Sequence, residues 1–295
     1  MTESTLKILK AMEKHNMKNP VMLITKGDIS EELAQRRANI NLEILVMYTL
    51  SGISEIMENR KEALQIKSME NISKHKNLKL INYYRPVIEG INSDAETIER
   101  VAKIVTKYCR ASIISGIRLN KHLCNMLGNK NITLPEEYDP DHKVLLPETF
   151  KRINDIFEKV DCNYPTFKKT SCGVSYLLNR PDYNGHSARI FYCKPSCKSY
   201  AICIGTNKIG FCKPNCPNYK ICKEESEKPI TPEYFKELLK LIDAPDAHFE
   251  ILEHYIKLDG TYWQEEVSFL RHKCKKNIKA DKLLKRPDEA KLGEL

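Results

Sequence analysis

The sequence predicts an α/β protein with parallel strands, followed by a Cys-rich metal-binding domain and a helical C-terminal region. Three observations predict it. Short apolar runs alternate with amphipathic stretches as far as Arg118. Six of the 11 cysteines crowd between Cys193 and Cys222. The last part returns to helical spacing and ends in a run of Lys and Arg. The expected divisions are 1–150, 151–228 and 229–295.

Size and charge agree. A chain of 295 residues and 34.2 kDa has room for about two domains. A hydrophobic fraction of 41% with 29% charged residues is globular rather than disordered. No run of roughly 18 or more apolar residues occurs, so no membrane span is expected. Met1 to Asn19 mixes charged and apolar residues and lacks the apolar core of a signal peptide, which predicts a cytoplasmic protein. The net charge of +9 permits an anionic partner without demanding one.

Taken in order, Leu6, Ile8, Leu9 and Met12 predict an opening helix. Val21 to Ile24, stopped at Thr25-Lys26-Gly27, reads as a buried strand. Ser30 followed by Glu31 and Glu32 reads as a capped helix start. Leu42 to Leu50 is the second strand, closing at Ser51-Gly52. Arg60 to Lys74 is a helix through Ala63, Ile66, Met69 and Ile72. Leu78 to Tyr84 is the third strand and runs into Arg85-Pro86. Ser93 and Glu96 have capping-box spacing for a helix to Cys109. Ala111 to Ile117 is the fourth strand. Strands apolar throughout, with helices between them, predict a parallel sheet covered on both faces. Ligands of such sheets sit at the carboxyl ends of the strands. The residues there are Lys26, Tyr48, Ser51, Arg85, Asn92 and Arg118, polar or cationic where the strands are not. The plainer reading is that some of them only close strands or solvate loops.

The order of endings, "VMLITKG", "LEILVMYTLSG", "LKLINYYRPVIEGIN" and "ASIISGIRLN", resembles the third to sixth strands of the partial (β/α) barrel of radical S-adenosylmethionine enzymes. The likeness covers residues 3 to 120. It implies that Tyr48, Ser51, Arg85, Asn92 and Arg118 face S-adenosylmethionine or a substrate. That family holds its cleaving 4Fe–4S cluster with Cys-x-x-x-Cys-x-x-Cys, and this sequence has no such triplet. The resemblance therefore implies one half of a split enzyme whose cluster half is a second polypeptide, a truncated product, or a relative that has lost the chemistry. A barrel fragment of four strands would also leave one sheet edge open.

"YCKPSCKSYAIC" and "FCKPNCPNYKIC" repeat one pattern. Its cysteines are Cys193, Cys197, Cys203, Cys212, Cys216 and Cys222. In a cytosolic chain such a cluster reads as metal-binding before disulfide-bonded. Thiolates without His favour iron–sulfur or zinc over harder metals. Six sulfurs make one four-Cys site with two thiols over, or two three-Cys sites each completed by Cys172, Cys162, Cys274, His186 or an external ligand. By the resemblance, an auxiliary 4Fe–4S cluster is the expectation, with zinc as the alternative. Disulfide-bonded or reduced structural loops are the plain reading.

Cys172 is a candidate hydrogen-atom donor or substrate contact in a radical reaction, with a buried or ligand Cys as the plainer and favoured reading. Asp182 and His186 are candidate acid and base, or simply a polar loop. Thr231-Pro232-Glu233 starts a helix, and Asp246 to Leu258 reads as another. Residues 271–286 carry eight Lys or Arg against one Asp, with Trp263 and Phe269 before them. Cations beside aromatics suit nucleic acid; a solvated helix face is the plain alternative. The two functions in view are thus a radical S-adenosylmethionine-type protein and a non-catalytic zinc or iron–sulfur module that contacts nucleic acid or a protein.

Overall fold

Pro20 and Gly27 bracket an apolar stretch too short for a helix, and it forms the first strand of the sheet. The computed structural model describes residues 3–118, 143–182, 216–252, 255–274 and 276–284. The chain divides into two compact units, Met1–Leu177 and Leu178–Leu295.

The first unit runs α1 (Glu3–Lys14), β1 (Val21–Thr25), α2 (Glu31–Ala38), β2 (Ile44–Tyr48), α3 (Glu55–Glu58), α4 (Glu62–Ser73), β3 (Leu78–Val87), α5 (Ala95–Tyr108) and β4 (Ser112–Arg118). Then follow β5 (Lys143–Val144), α6 (Pro147–Val160), β6 (Thr166–Phe167) and α7 (Thr170–Leu178). Strands β1 to β4 lie side by side in chain order, all parallel. The start of β4 pairs with β6, a fifth parallel strand, and its end pairs antiparallel with β5. Among the described residues β1 pairs only with β2, so its outer edge is open, as the strand count predicts. Ile24 on that edge strand is 57% exposed.

Alternation sorts the side chains. Ile44, Val46 and Tyr48 of β2, Leu78, Leu80 and Tyr84 of β3 and Ile114 of β4 share one core. The same core holds Leu6 and Leu9 of α1, Ala34 of α2, Met69 and Ile72 of α4, Val101 and Val105 of α5, and Ile153 and Phe157 of α6. All these helices therefore cover one face. On the opposite face α7 lies close: a Cβ on its Gly173 would stand 2.7 Å from Ile113 and 2.9 Å from Ile81. A doubly wound sheet places its connecting helices on both faces; a barrel wall keeps them outside.

Two caps differ in detail. Ser30 accepts the Leu33 N–H as expected. At α5 the cap is Asp94, which accepts the Thr97 N–H at 2.8 Å, while Ser93 turns to Glu89.

The second unit contains α8 (Tyr219–Glu227), α9 (Pro232–Lys240), β7 (Phe249–Ile251), β8 (Tyr255–Trp263), α10 (Gln264–Cys274) and β9 (Asn277–Leu284). Thr231 caps α9 and Pro232 occupies its first turn, as predicted. The helix expected over 246–258 is instead β7 and the start of β8, paired antiparallel with Phe249 opposite Leu258 and Ile251 opposite Ile256. The basic stretch after 271 is likewise the end of α10 and then strand β9, parallel to β8. The C-terminal region is thus mixed rather than helical. Phe249, Ile251, Ile256 and Leu258 fit both periods, and pairing across the β7–β8 turn decides for strand. Leu238, Leu239, Val267 and Leu270 cover the sheet through Ile256, Leu258 and Ile278. Among the described residues no helix is long and apolar enough to cross a membrane.

Candidate functional site

The carboxyl ends of β1 to β4 carry the polar side chains that the sequence singles out, and the structure gives each a distinct place. Lys26 follows β1, and Ser51 follows β2 by three residues. They meet at a residue that sequence reading passes over. Glu58 closes the one-turn helix α3, and its side chain is only 10% exposed. Ser51 Oγ donates to Glu58 Oε1 at 3.0 Å, and Lys26 Nζ lies 3.5 Å from the same oxygen. No periodic signal marks Glu58, because a one-turn helix has no apolar stripe to read.

Asn92 is fully buried. Its Nδ2 donates to Ser51 O at 2.7 Å and to Pro86 O at 2.9 Å, and its Oδ1 accepts the Ile88 N–H at 2.7 Å. Both amide N–H groups are thereby committed to backbone. Asn92 ties the loop after β2 to the loop after β3 and positions the rim. Tyr48 is also fully buried and belongs to the helix-covered core. Burial pushes its phenol up, with the Ser68 hydroxyl pulling the other way.

Arg85 stands on the opposite face. Its Nη1 donates to Tyr83 Oη at 2.8 Å, and its guanidinium carbon lies 5.3 Å from the Tyr83 ring centroid. The peptide to Pro86 is cis. Arg118 ends β4 and is exposed. Behind Asn92, Glu89 accepts from Thr149, Ser93 and Arg152, the last at 3.3 Å to Oε2. Arg152 Nε also donates to Ser93 O at 3.1 Å, so the first turns of α6 brace the loop after β3.

Of the cysteine repeat, Cys193, Cys197, Cys203 and Cys212 lie outside the described residues, as does His186. Among the described residues no three His, Cys, Asp or Glu side chains gather as a metal site, so the Cys-rich metal domain is not shown here. Cys216 is half-buried and Cys222 buried, both as free thiols. Cys222 Sγ accepts the Asp182 N–H at 3.2 Å, and Asp182 is itself buried. Burial pushes the Cys216 thiol up; a hydrogen bond from the Asn218 backbone opposes it, and the charge of Asp182 adds to it. A backbone N–H aimed at sulfur is the arrangement that stabilises a thiolate, the form that binds metal. Cys172 lies half-buried on α7. Cys162 is exposed just after α6. Cys274 sits in the core of the second unit with its Sγ 3.9 Å from Lys276 O.

At the basic end, Lys279 Nζ lies 3.9 Å from the Tyr255 ring centroid and Lys273 Nζ 5.7 Å from that of Phe269. Arg271 Nη2 donates to Ile278 O at 2.5 Å. The acids Glu250 and Asp259 lie on strands beside Lys257. The chain matches no protein-family model and no curated protein.

Proposed function

We propose that this chain is a radical S-adenosylmethionine-type protein, built as the back part of a partial (β/α) barrel with a Cys-rich iron–sulfur region. It works with a second polypeptide that supplies the Cys-x-x-x-Cys-x-x-Cys loop, on a substrate held at the strand ends. The observation that carries this reading is the winding of the first unit. Four parallel strands stand in chain order with their helices on one face, and polar side chains collect at their carboxyl ends. The open edge of β1 leaves room for strands from a partner.

The donor chemistry of the two described repeat cysteines fits an iron–sulfur group. Cys216 and Cys222 would ligate it, each sulfur braced by a backbone N–H. When bound, such a group with S-adenosylmethionine supplies one-electron cleavage of the sulfonium and hydrogen-atom abstraction. The chain's own part is to hold and orient. Asn92 fixes the rim loops, Ser51 and Lys26 hold Glu58, and Arg85 faces the side free of the connecting helices.

The test is anaerobic reconstitution with iron and sulfide, with and without the product of a neighbouring gene that carries the triplet. The expected result is brown protein containing both elements, and 5′-deoxyadenosine from S-adenosylmethionine only when both chains are present. Protein with neither iron nor sulfide, or no 5′-deoxyadenosine from the pair, overturns the reading. Colourless protein with stoichiometric zinc replaces it with the non-catalytic module, whose basic end would then contact nucleic acid or a protein.

A further inference from the structure

A cation that is held in place, yet has no acid beside it, asks for a ligand. Arg85 is such a group. Strand alternation sets Ile81 and Tyr83 on the face opposite Leu80 and Tyr84, away from the connecting helices, and Arg85 lies against Tyr83 on that side, where the register breaks between Tyr84 and Val87. The Tyr83 hydroxyl takes Nη1 and the Tyr83 ring supports the guanidinium plane. Among the described residues no carboxylate pairs with Arg85, and its Nε and Nη2 make no hydrogen bond. Those two N–H groups form the side of the guanidinium that meets a planar oxyanion with two parallel hydrogen bonds.

The surroundings suit the same ligand. Tyr83 pairs with Ile113 of β4, so Ser115, two residues beyond Ile113, stands on the neighbouring strand on the face of Tyr83. Arg85 is only partly exposed, which raises the strength of a charged hydrogen bond over that of a surface pair. We propose that Arg85, oriented by Tyr83, is the anchor for a carboxylate or phosphate group of the molecule bound at the strand ends. The proposal rests on the reading of those ends as the binding rim, and it names the substrate class: an oxyanion-bearing molecule.

The experiment uses the full chain labelled with nitrogen-15 and needs no iron, reductant or second polypeptide. Its outcome is therefore independent of the reconstitution assay. Sodium succinate and sodium pyrophosphate are titrated at constant ionic strength while the Arg85 Nε–Hε resonance, assigned through Arg85→Lys, and the Ser115 amide are followed. One probe is expected to shift both signals to saturation, and which one does so tells carboxylate from phosphate. Arg85→Lys keeps the charge but loses the fork, and should weaken that binding about tenfold, read at the Ser115 amide. Tyr83→Phe keeps the ring and removes the hydroxyl, and should weaken it about threefold with the thermal melt unchanged. Exposed Lys103→Gln should change nothing. An unmoved Arg85 resonance with both probes, or equal affinity in Arg85→Lys, overturns the proposal.

Discussion

Arg37 shows how far one side chain can depart from what its neighbours in sequence suggest. In the last turn of α2 a cation reads as a favourable partner for the helix dipole. In the fold it is 0% exposed, and Nε, Nη1 and Nη2 all lack a hydrogen-bond partner. Burial lowers its guanidinium from the usual arginine range to about 10. That gap corresponds to a folding cost on the order of 3 kcal/mol. The cost is whole at neutral pH, where folded and unfolded states are both protonated. It fades as pH rises from about 10 toward the ordinary arginine value, because the folded state gives up its proton first. Arg37→Met keeps the length of the side chain and removes the charge. Urea unfolding at pH 7 should show the variant about 2 kcal/mol more stable than the parent. The advantage should narrow at pH 11; a constant or growing gap would contradict the burial account. Such a position is not legible in a sequence, because burial of one face of α2 depends on α4, which packs against it and buries Ser68, Met69 and Ile72 beside it.

Elements were readable where one signal dominated. The strands β1 to β4 emerge from apolar runs too short for helices, and their helices from Leu, Ile and Met at helical spacing. The fifth strand, β6, has two residues and carries no periodic signal, so nothing in its letters tells that it continues the sheet. The strand β7 was hidden because its apolar residues satisfy two periods at once. Glycines at strand ends read as turns, but the sequence does not say what they touch. Gly52 and Gly90 both have positive φ, +69° and +76°. A Cβ on Gly52 would lie 2.7 Å from Thr97 Cγ2 and 2.9 Å from Val101 Cγ2 on α5, whereas one on Gly90 would meet open space. Gly90→Ala should cost about 1 kcal/mol, the penalty of left-handed backbone alone. Gly52→Ala adds a clash with a packed helix and should cost at least twice that, about 2–4 kcal/mol. Thermal denaturation of the two variants side by side checks the order. Equal losses would mean that α5 does not rest on the turn after β2.

At the scale of the whole chain, the division after Leu177 places the sheet of five parallel strands in one unit and the cysteine repeat in the other. The sequence marks the second unit by its thiols rather than by an apolar pattern, so its mixed fold was not legible there. The cores are separate: one built on β2, β3 and β4, the other on β8, β9, α9 and α10. Units with independent cores unfold as independent transitions. Metal held by Cys216, Cys222 and the rest of the repeat would stabilise only the unit that contains them, because a ligand stabilises the state that binds it. Calorimetry of the intact chain should therefore resolve two transitions. Stripping metal with a chelator under reducing conditions should lower one of them by more than about 10 °C, since each kcal/mol lost from a unit of this size moves its midpoint about 4–8 °C. The other transition should stay where it was. If both shift together, the repeat stabilises the first unit as well; if neither moves, its thiols hold no metal.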